Sequence, residues 1–432
     1  MTGEDTPDGS PDDPGDTPAE TDRLGKVDDD FFADLIAPEL GADREDVRLG
    51  PAHGVDFGVV DIGGGGGTAG ESGANGSVGG ANAGGGGSNT GDGGANAGGG
   101  GSNADGGGAN AGGGQALVTA TDPLSLLPAL GFERAGRFAV SFAISDVAVS
   151  GVAPTHVAVS LSLPTEMDES AFASFWQGLT SECGELGVAV VTGHTAQYPA
   201  ASYPWVGATT VFGVGDHDDV IRPDGARPGD DLVVTEGPAV ETAGLLATLF
   251  PDEFDALGAE TVADAQACLD RTGVTRDARA AVEAARAEHE TSAAAGDVTD
   301  APIAASAATD APIAAMHDAT EGGLRGALCE TAAASGVRLD VDRERVPTDP
   351  AALAVTDHLG IDPWACTTAG SLLLSVDPAA TETVVSALES RGTPAAAAGT
   401  VREGSGVYVD GERVRPPEED PSWAAWAALG DD

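Results

Sequence analysis

Basic residues are the scarcest class of side chain in this protein. The 432 residues include 20 Lys and Arg against 70 Asp and Glu, and the formal net charge is −50. Lysine occurs once, at Lys26. Proteins that bind nucleic acid need a basic surface to neutralise phosphates. The composition therefore excludes a nucleic-acid-binding protein.

Long apolar runs are also missing. No stretch approaches the roughly 20 apolar residues of a membrane-spanning helix. Residues 1–30 are acidic and lack the apolar centre of a signal peptide. Hydrophobic residues make up 41% of the chain, which argues against general disorder. The acidic residues are spread over the whole length, and molar salt would screen their mutual repulsion. We therefore expect a halophilic, cytoplasmic protein that does not bind membranes.

Cysteine is rare and widely spaced. The four cysteines are Cys183, Cys268, Cys329 and Cys366. No CxxC pair is present, so neither a zinc site nor a disulfide framework is expected. We interpret the four as small, reduced core residues.

Alternating strand-like and helix-like segments predict an α/β (α+β) protein with two domains. A Pro-Gly turn at 227–229, followed by a strand-like run, marks the boundary between them. Asp168 is a plausible N-cap for an amphipathic helix over 168–187. The expected organisation is an acidic disordered tail at 1–24, an N-terminal domain at 25–220, a C-terminal α/β domain at 225–415 and an acidic tail at 416–432.

A low-complexity segment interrupts the N-terminal domain. About half of residues 63–114 are Gly, and GGANAGGGGSN at 79–89 recurs at 93–103. The repeat has no apolar face to bury, so we expect a flexible coil. Strand-like segments at 55–63 and 116–124 flank it. They predict a hairpin whose turn has been expanded, because loop-closure cost rises slowly with loop length.

A second, shorter duplication lies in the C-terminal domain. The sequence TDAPIAA occurs at 299–305 and again at 309–315. We expect one copy to be a strand and the other a loop.

Three aspartates interrupt apolar sequence. They are Asp56 in GVDFGVV, Asp122 in TATDP and Asp146 in ISDVAVSG. Most of the 70 acids must lie on the surface, but a carboxylate within an apolar run is costly unless something compensates it. Aspartates that converge from separate elements can hold a hard cation such as Mg²⁺. Such a cation can bind nucleotide phosphates without the help of lysine.

The sequence TGHT is a further polar feature. Thr192, Gly193, His194 and Thr195 follow a strand-like run, and we expect them to form a turn. His194 taken alone is also typical of a capping histidine. Walker A, GxSxG and HExxH motifs do not occur.

Taken in order, these motifs resemble the superfamily of aminoimidazole-ribonucleotide (AIR) synthetase. The superfamily includes the hydrogenase-maturation dehydratase HypE, selenophosphate synthetase and thiamine-monophosphate kinase. MHDATEGGL at 316–324 is a further matching motif. The segments at 227–247 and 360–376 look like the family's second domain. The resemblance covers about 25–62 and 115–410 and is nearest to an archaeal HypE-like branch.

The resemblance implies a PurM-like fold and a nucleotide ligand. In this fold, the N-terminal mixed sheet pairs with that of a second copy in a homodimer, and a C-terminal α/β domain follows. ATP would lie between the domains with Mg²⁺ on its phosphates, and K⁺ is a further candidate cation.

The resemblance also implies roles for individual residues. The implied metal ligands are Asp56, Asp122 and Asp146. The implied catalytic residues are Asp146, His194, Asp318 and Glu321. The nucleotide-binding set comprises the three metal ligands with Lys26, Thr192, Gly193, Thr195, Glu241, Gly322 and Gly323. Lys26 is included because the family's N-terminal segment can close over the nucleotide.

The expected activity is ATP-driven activation of a carbonyl, amide or phosphate oxygen on an unidentified co-substrate. The alternatives are a nucleotide-binding scaffold without turnover, AIR formation and thiamine-phosphate phosphorylation. HypE and the thiamine kinase carry an acid where this chain has His194. HypE's acceptor cysteine has no counterpart after Cys366, which argues against carbamoyl dehydration. The reactive Cys and Lys of selenophosphate synthetase are absent from the Gly-rich segment.

Overall fold

The computed structural model describes two sheets and the helices that pack on them. The described residues are 32, 36, 37, 40, 44–52, 55–62, 114–294 and 311–430. The tail at 1–24, Lys26, almost all of the Gly-rich segment and the first TDAPIAA copy therefore lie outside the described residues. The two-sheet α/β architecture agrees with the predicted fold class.

The first sheet is formed by the N-terminal part of the chain. Its strand order is β1-β2-β3-β6-β4-β5, and only the β4–β5 pair is parallel. The strands are β1 (Val47–Leu49), β2 (Gly58–Asp61), β3 (Gln115–Ser125), β4 (Pro154–Leu163), β5 (Ala189–Gln197) and β6 (Trp205–Asp216).

Two helices cover one face of this sheet. They are α1 (Phe132–Ala148) and α2 (Glu169–Leu186). The predicted N-cap of α2 is confirmed, because Asp168 accepts a hydrogen bond from the amide of Ala171 at 2.8 Å. The helices cross in backbone contact, since a Cβ added at Gly136 would lie 2.1 Å from the carbonyl oxygen of Phe175.

The second sheet has seven strands in the order β13-β12-β9-β11-β7-β10-β8. Its strands β8 and β10 are buried along their whole length. The strands are β7 (Asp231–Thr235), β8 (Ile313–Ala319), β9 (Arg338–Val341), β10 (Ser371–Val376), β11 (Ala395–Arg402), β12 (Gly406–Val409) and β13 (Glu412–Val414).

Seven further helices lie in the described residues of the C-terminal part. They are α3 (Val240–Leu249), α4 (Ala259–Ala267), α5 (Thr275–Ala294), α6 (Gly323–Ser335), α7 (Pro350–Leu359), α8 (Pro378–Ser390) and α9 (Pro421–Gly430). One apolar core runs through both parts, because Ile144 of α1 and Leu372 of β10 belong to the same buried cluster. The two parts therefore share one apolar core.

The predicted hairpin is confirmed. Strands β2 and β3 pair antiparallel, and the amide of Ile62 donates to the carbonyl oxygen of Gln115 at 2.9 Å. The Gly-rich segment therefore leaves and re-enters the sheet at adjacent positions. Residues 313–315, at the end of the second TDAPIAA copy, begin β8, and the first copy lies outside the described residues.

The segment at 416–432 is not simply a tail. It contains helix α9, in which apolar side chains recur every three residues at Trp423, Trp426 and Leu429. Trp426 packs on Phe250, with ring centroids 6.3 Å apart. Across the described ranges, no helix is both long and apolar enough to span a bilayer.

Candidate functional site

Asp122 takes the place of a core residue in β3. Ala120 and Leu124, two positions away on either side, are buried, and alternate residues of a strand share a face. Asp122 pairs across the sheet with Thr209 of β6, which is 1% exposed. The Asp122 carboxylate therefore belongs to the face that α1 and α2 cover.

Asp146 lies opposite it, in the last turn of α1. Its side chain is buried. The pKa of Asp146 is well above its usual value, first because burial removes water from the carboxylate and second because Asp122, Asp318 and Asp56 repel its charge. All three of these neighbouring groups are acids. The structure thus brings together the three predicted metal ligands and one predicted catalytic acid.

These four aspartates come from four different parts of the chain. Asp318 lies on β8, the edge strand of the second sheet, and is 4% exposed. Asp56 precedes β2 in a short segment that reaches β8. The group therefore forms where the N-terminal sheet and the edge of the C-terminal sheet meet.

His317 is a buried neighbour that the sequence analysis did not assign. Its Nδ1 lies 2.8 Å from an oxygen of Asp56, and its Nε2 lies 2.9 Å from Glu330 of α6. Burial by itself would lower the pKa of His317, but the two carboxylates outweigh burial and raise it well above the usual value. The motif MHDATEGGL contained the signal, since His317 directly precedes Asp318.

The donor set fits a hard divalent cation. Asp56 and Asp318 each offer a carboxylate oxygen, and these atoms lie within 4.8 Å of each other and of a ring nitrogen of His317, which would have to lose a proton to bind a metal. Asp122 and Asp146 add carboxylate oxygens on the adjoining side. Oxygen-rich sets of this kind suit Mg²⁺.

Glu241 and Glu321 belong to a second acidic group in the C-terminal part. Glu241 is 7% exposed, and its carboxylate accepts hydrogen bonds from the amide of Ala369 at 2.9 Å and from Thr367 at 3.3 Å. The pKa of Glu241 is raised to about 7, chiefly by burial and also by the charges of Asp420 and Glu321, while the two hydrogen bonds oppose this shift. This group could hold a proton near neutral pH.

Gly322 and Gly323 form the turn between β8 and α6. Both have positive φ values, 76° and 62°, which favour glycine. A Cβ on Gly323 would lie 2.3 Å from the carbonyl oxygen of Cys366. Gly323 therefore packs directly against the loop that contains Cys366, and the predicted nucleotide-binding role of Gly322 and Gly323 stays a prediction.

The prediction of a turn at Thr192, Gly193, His194 and Thr195 is wrong. All four residues lie inside strand β5 and are exposed. Gly193 is separated from Asp122 by β4 and β6, which puts it about 14 Å away at ~4.8 Å per strand. Threonine is favoured in strands, and a partly polar strand is tolerated here because β5 is an exposed edge.

His194 also lies on the other face of the sheet. Across the sheet, His194 lies in register with Ser160 and Pro123, and Pro123 directly follows Asp122 in β3. Consecutive residues of a strand point to opposite faces, so His194 and Asp122 are on different faces. Its Nε2 lies 3.4 Å from the hydroxyl of Tyr198. Within one protomer, His194 therefore does not join the four aspartates.

The cysteines are packing residues, as predicted. Three of the four are buried and one is partly exposed. Burial raises the pKa of Cys183, Cys268 and Cys329 to about 11 and raises that of Cys366 further. None of them carries a thiolate at neutral pH.

Two family models match the chain. The N-terminal domain of AIR synthase related protein matches residues 104–214, and the C-terminal domain of the same family matches residues 227–412. Together the two matches cover more than half of the chain.

Individual relatives are more distant. Carbamoyl dehydratase HypE of Rhizobium leguminosarum bv. viciae is 26% identical over 278 residues, which are 63% of this chain and 70% of the relative. A crystal structure of E. coli HypE, a hydrogenase maturation protein, is 25% identical with a TM-score of 0.55 and covers 71% of this chain and 87% of its own.

A structure of HypE in complex with ATP shares the fold. It is 21% identical with a TM-score of 0.54, and the alignment covers 71% of this chain and 86% of that one.

Proposed function

Because the chain belongs to the AIR synthase related family, we propose that it is an ATP-binding enzyme that depends on Mg²⁺. It activates a carbonyl, amide or phosphate oxygen of a co-substrate by phosphoryl transfer. The observation that carries this proposal is the convergence of Asp56, Asp122, Asp146 and Asp318 from separate elements.

Electrostatics favours a cation among these four groups. Like charges close together and away from water repel strongly. Burial and the neighbouring carboxylates of Asp122, Asp318 and Asp56 raise the pKa of Asp146 well above its usual value, and a bound cation would favour its ionised form. Bound Mg²⁺ would neutralise the carboxylates and the phosphate oxygens of ATP together. The cation would thereby serve where other nucleotide sites use lysine.

The residues around the aspartates would position the ligands. His317 contacts Asp56 and is held on its other side by Glu330. Glu241 and Glu321 lie close enough for their charges to repel, near the turn formed by Gly322 and Gly323. We propose Asp318 and Glu321 as the acids nearest the transferred group.

We also propose that the enzyme is a homodimer that pairs through its N-terminal sheet. The face of this sheet opposite α1 and α2 carries Leu117, Thr210, Phe212 and Val214. Val214 is 44% exposed and Trp205, at the end of β6, is 55% exposed. In a chain of net charge −50, an apolar, weakly charged face of this kind is typical of a protein interface.

A nucleotide-binding maturation or scaffold protein without turnover is the second candidate. A carbamoyl dehydratase is not proposed, because Cys366 is buried and donates to the carbonyl oxygen of Asp362 at 3.2 Å. A thiol in that position does not accept a carbamoyl group. AIR formation and thiamine-phosphate phosphorylation remain alternatives within the enzymatic class.

Release of ADP tests the proposal. The protein would be incubated with ATP and Mg²⁺ in molar KCl, alone and with a panel of carboxylates, amides and phosphate esters. We expect one class of co-substrate to stimulate ADP release, and Asp146→Asn to abolish the stimulation. Asp264→Asn, at an exposed position of α4, is the matched control. ATP binding without ADP release under every condition would instead support the scaffold.

A further inference from the structure

The C-terminal segment returns to the candidate site after the last strand. Pro417 packs on the turn at the start of α6, 3.3 Å from the place where a Cβ of Gly322 would be. Three residues later, Asp420 accepts a hydrogen bond from the amide of Gly322 at 3.0 Å. The segment thus contacts the turn that follows Asp318 and Glu321.

Asp420 is itself held in place from the other side. Its second carboxylate oxygen accepts from the amide of Ser422 at 2.9 Å and from the Ser422 hydroxyl at 2.6 Å. These bonds fix the start of α9. The helix is anchored in turn by Trp426 on Phe250 and by an apolar cluster that includes residues of α3 and α7.

The turn that Asp420 holds has little freedom elsewhere. The amide of Gly323 bonds to the carbonyl oxygen of Thr320 at 3.0 Å. On its inner side, Gly323 abuts the carbonyl oxygen of Cys366. Asp420 contacts the adjoining residue, Gly322, so the turn is fixed from two sides.

We propose that Asp420 is a positioning residue for the candidate site. By holding the amide of Gly322, it fixes the turn that joins β8 to α6 and thereby the placement of Asp318 and Glu321. The α9 helix provides the rigid support for this contact. The inference rests on the proposed function, because positioning is defined here by its effect on Mg²⁺-ATP.

Electrostatics agrees with this placement. The charges of Asp420 and Glu321 both act on Glu241, and Asp420 also acts on Cys366. Asp420 therefore lies close to the second acidic group as well as to the turn. A carboxylate there receives a charge-assisted hydrogen bond, which is stronger than one between neutral groups.

The test compares Asp420→Ala with Asp420→Asn and with Glu419→Ala. Asn keeps an oxygen that can accept from Gly322, whereas Ala removes the contact. Glu419 is the exposed neighbour and loses the same charge. Two quantities would be measured in molar KCl: hydrogen exchange of a peptide over residues 318–326, and the affinity for Mg²⁺-ATP.

We expect Asp420→Ala to speed exchange of this peptide and to weaken Mg²⁺-ATP binding, each by about tenfold, as for the loss of one charge-assisted hydrogen bond. Asp420→Asn should retain most of the exchange protection and most of the Mg²⁺-ATP affinity. Glu419→Ala should match wild type in both measurements. The proposal is overturned if Asp420→Ala matches Glu419→Ala, or if exchange changes while affinity does not. Wild-type protein that binds no Mg²⁺-ATP would contradict the proposed function, and the exchange rates would still decide whether Asp420 holds the turn.

Discussion

The N-terminal and C-terminal parts of the chain place apolar and charged side chains in opposite ways. Among the described residues, every large apolar side chain that is strongly exposed precedes residue 215. These are Ile36, Leu40, Val47, Ile62, Val190, Val191, Tyr198, Trp205 and Val214. The buried charged side chains, apart from Asp146, follow residue 225. They are Asp230, Glu236, Glu241, Asp277, His317 and Asp318.

Exposed apolar side chains and buried charged side chains are both unfavourable unless something contacts them, and each set indicates a different kind of contact. Apolar surface gains free energy when another apolar surface covers it. Buried carboxylates gain when a cation or a set of hydrogen-bond donors faces them. The contrast therefore supports our proposals of association through the first sheet and of a cation and nucleotide site at its junction with the second.

The largest expected effect is on association. Thr210→Asp places a charge in the middle of the open face of the first sheet, and two-fold symmetry would bring two such charges into one interface. Like charges in an interface cost several kcal/mol, so we expect the dimer to weaken by about a thousandfold. Light scattering after size exclusion in molar KCl measures this.

Ala263→Asp, on the exposed side of α4, is the matched control and should leave the association unchanged. Wild-type protein that is monomeric at all concentrations would remove the distinction between the two sheets. A Thr210→Asp variant that stays dimeric would place the interface elsewhere.

The next effect concerns buried charge in the C-terminal part. Burial raises the pKa of Glu241 from 4.5 to about 7. As pH rises, the carboxyl group of Glu241 ionises near pH 4.5 in the unfolded chain but only near pH 7 in the folded protein. Its contribution to the free energy of unfolding is therefore full below pH 4.5 and is lost as pH rises to about 7. The free energy of unfolding of Glu241→Gln should therefore exceed that of wild type by about 3 kcal/mol at pH 8 and by almost nothing at pH 4.

Denaturant unfolding of both proteins across this pH range measures the difference. Glu389→Gln, at an exposed position of α8, should follow the wild-type curve throughout. Parallel curves for wild type and Glu241→Gln would show that Glu241 is ionised in the folded protein without cost.

The smallest functional effect should come from the Gly-rich segment. Its attachment points lie about 23 Å from Asp122, at ~3.3 Å per residue along β3. Replacing residues 63–114 by Asp-Gly fits the hydrogen-bonded pair of Ile62 and Gln115. We expect the dimer and the Mg²⁺-ATP affinity to be unchanged, and the shorter loop to stabilise the fold by at most about 3 kcal/mol.

Calorimetry and light scattering on the shortened protein check this expectation. Loss of the soluble dimer would show that the segment is structural. Weaker nucleotide binding with an intact dimer would instead support a lid over the phosphates.

Apolar periodicity predicted those elements whose burial is one-sided. Helix α2 was expected over 168–187 and occupies Glu169–Leu186. The hairpin of β2 and β3 was also predicted, because turn length hardly affects the pairing of the flanking strands. The approach of Asp56, Asp122 and Asp146 followed from charges that interrupt apolar runs.

Other features depend on contacts between distant segments. The TGHT sequence reads locally as a polar turn, but β5 pairs with β4 and lies at an exposed edge. His317 was overlooked because its importance comes from Asp56 and Glu330, which approach it from other elements. Asp420 lies in an expected tail, and only the docking of α9 brings it to Gly322.

The most direct test is calorimetric titration of ATP with and without Mg²⁺ in molar KCl. Wild type, Asp122→Asn, Asp146→Asn and the control Asp264→Asn would be compared, with thermal melts alongside. We predict that Asp122→Asn and Asp146→Asn each weaken Mg²⁺-ATP binding by at least about tenfold, change metal-free ATP binding much less, and melt no lower than wild type because a repelling charge is removed. The account is contradicted if wild type binds no nucleotide, or if the loss is the same with and without Mg²⁺.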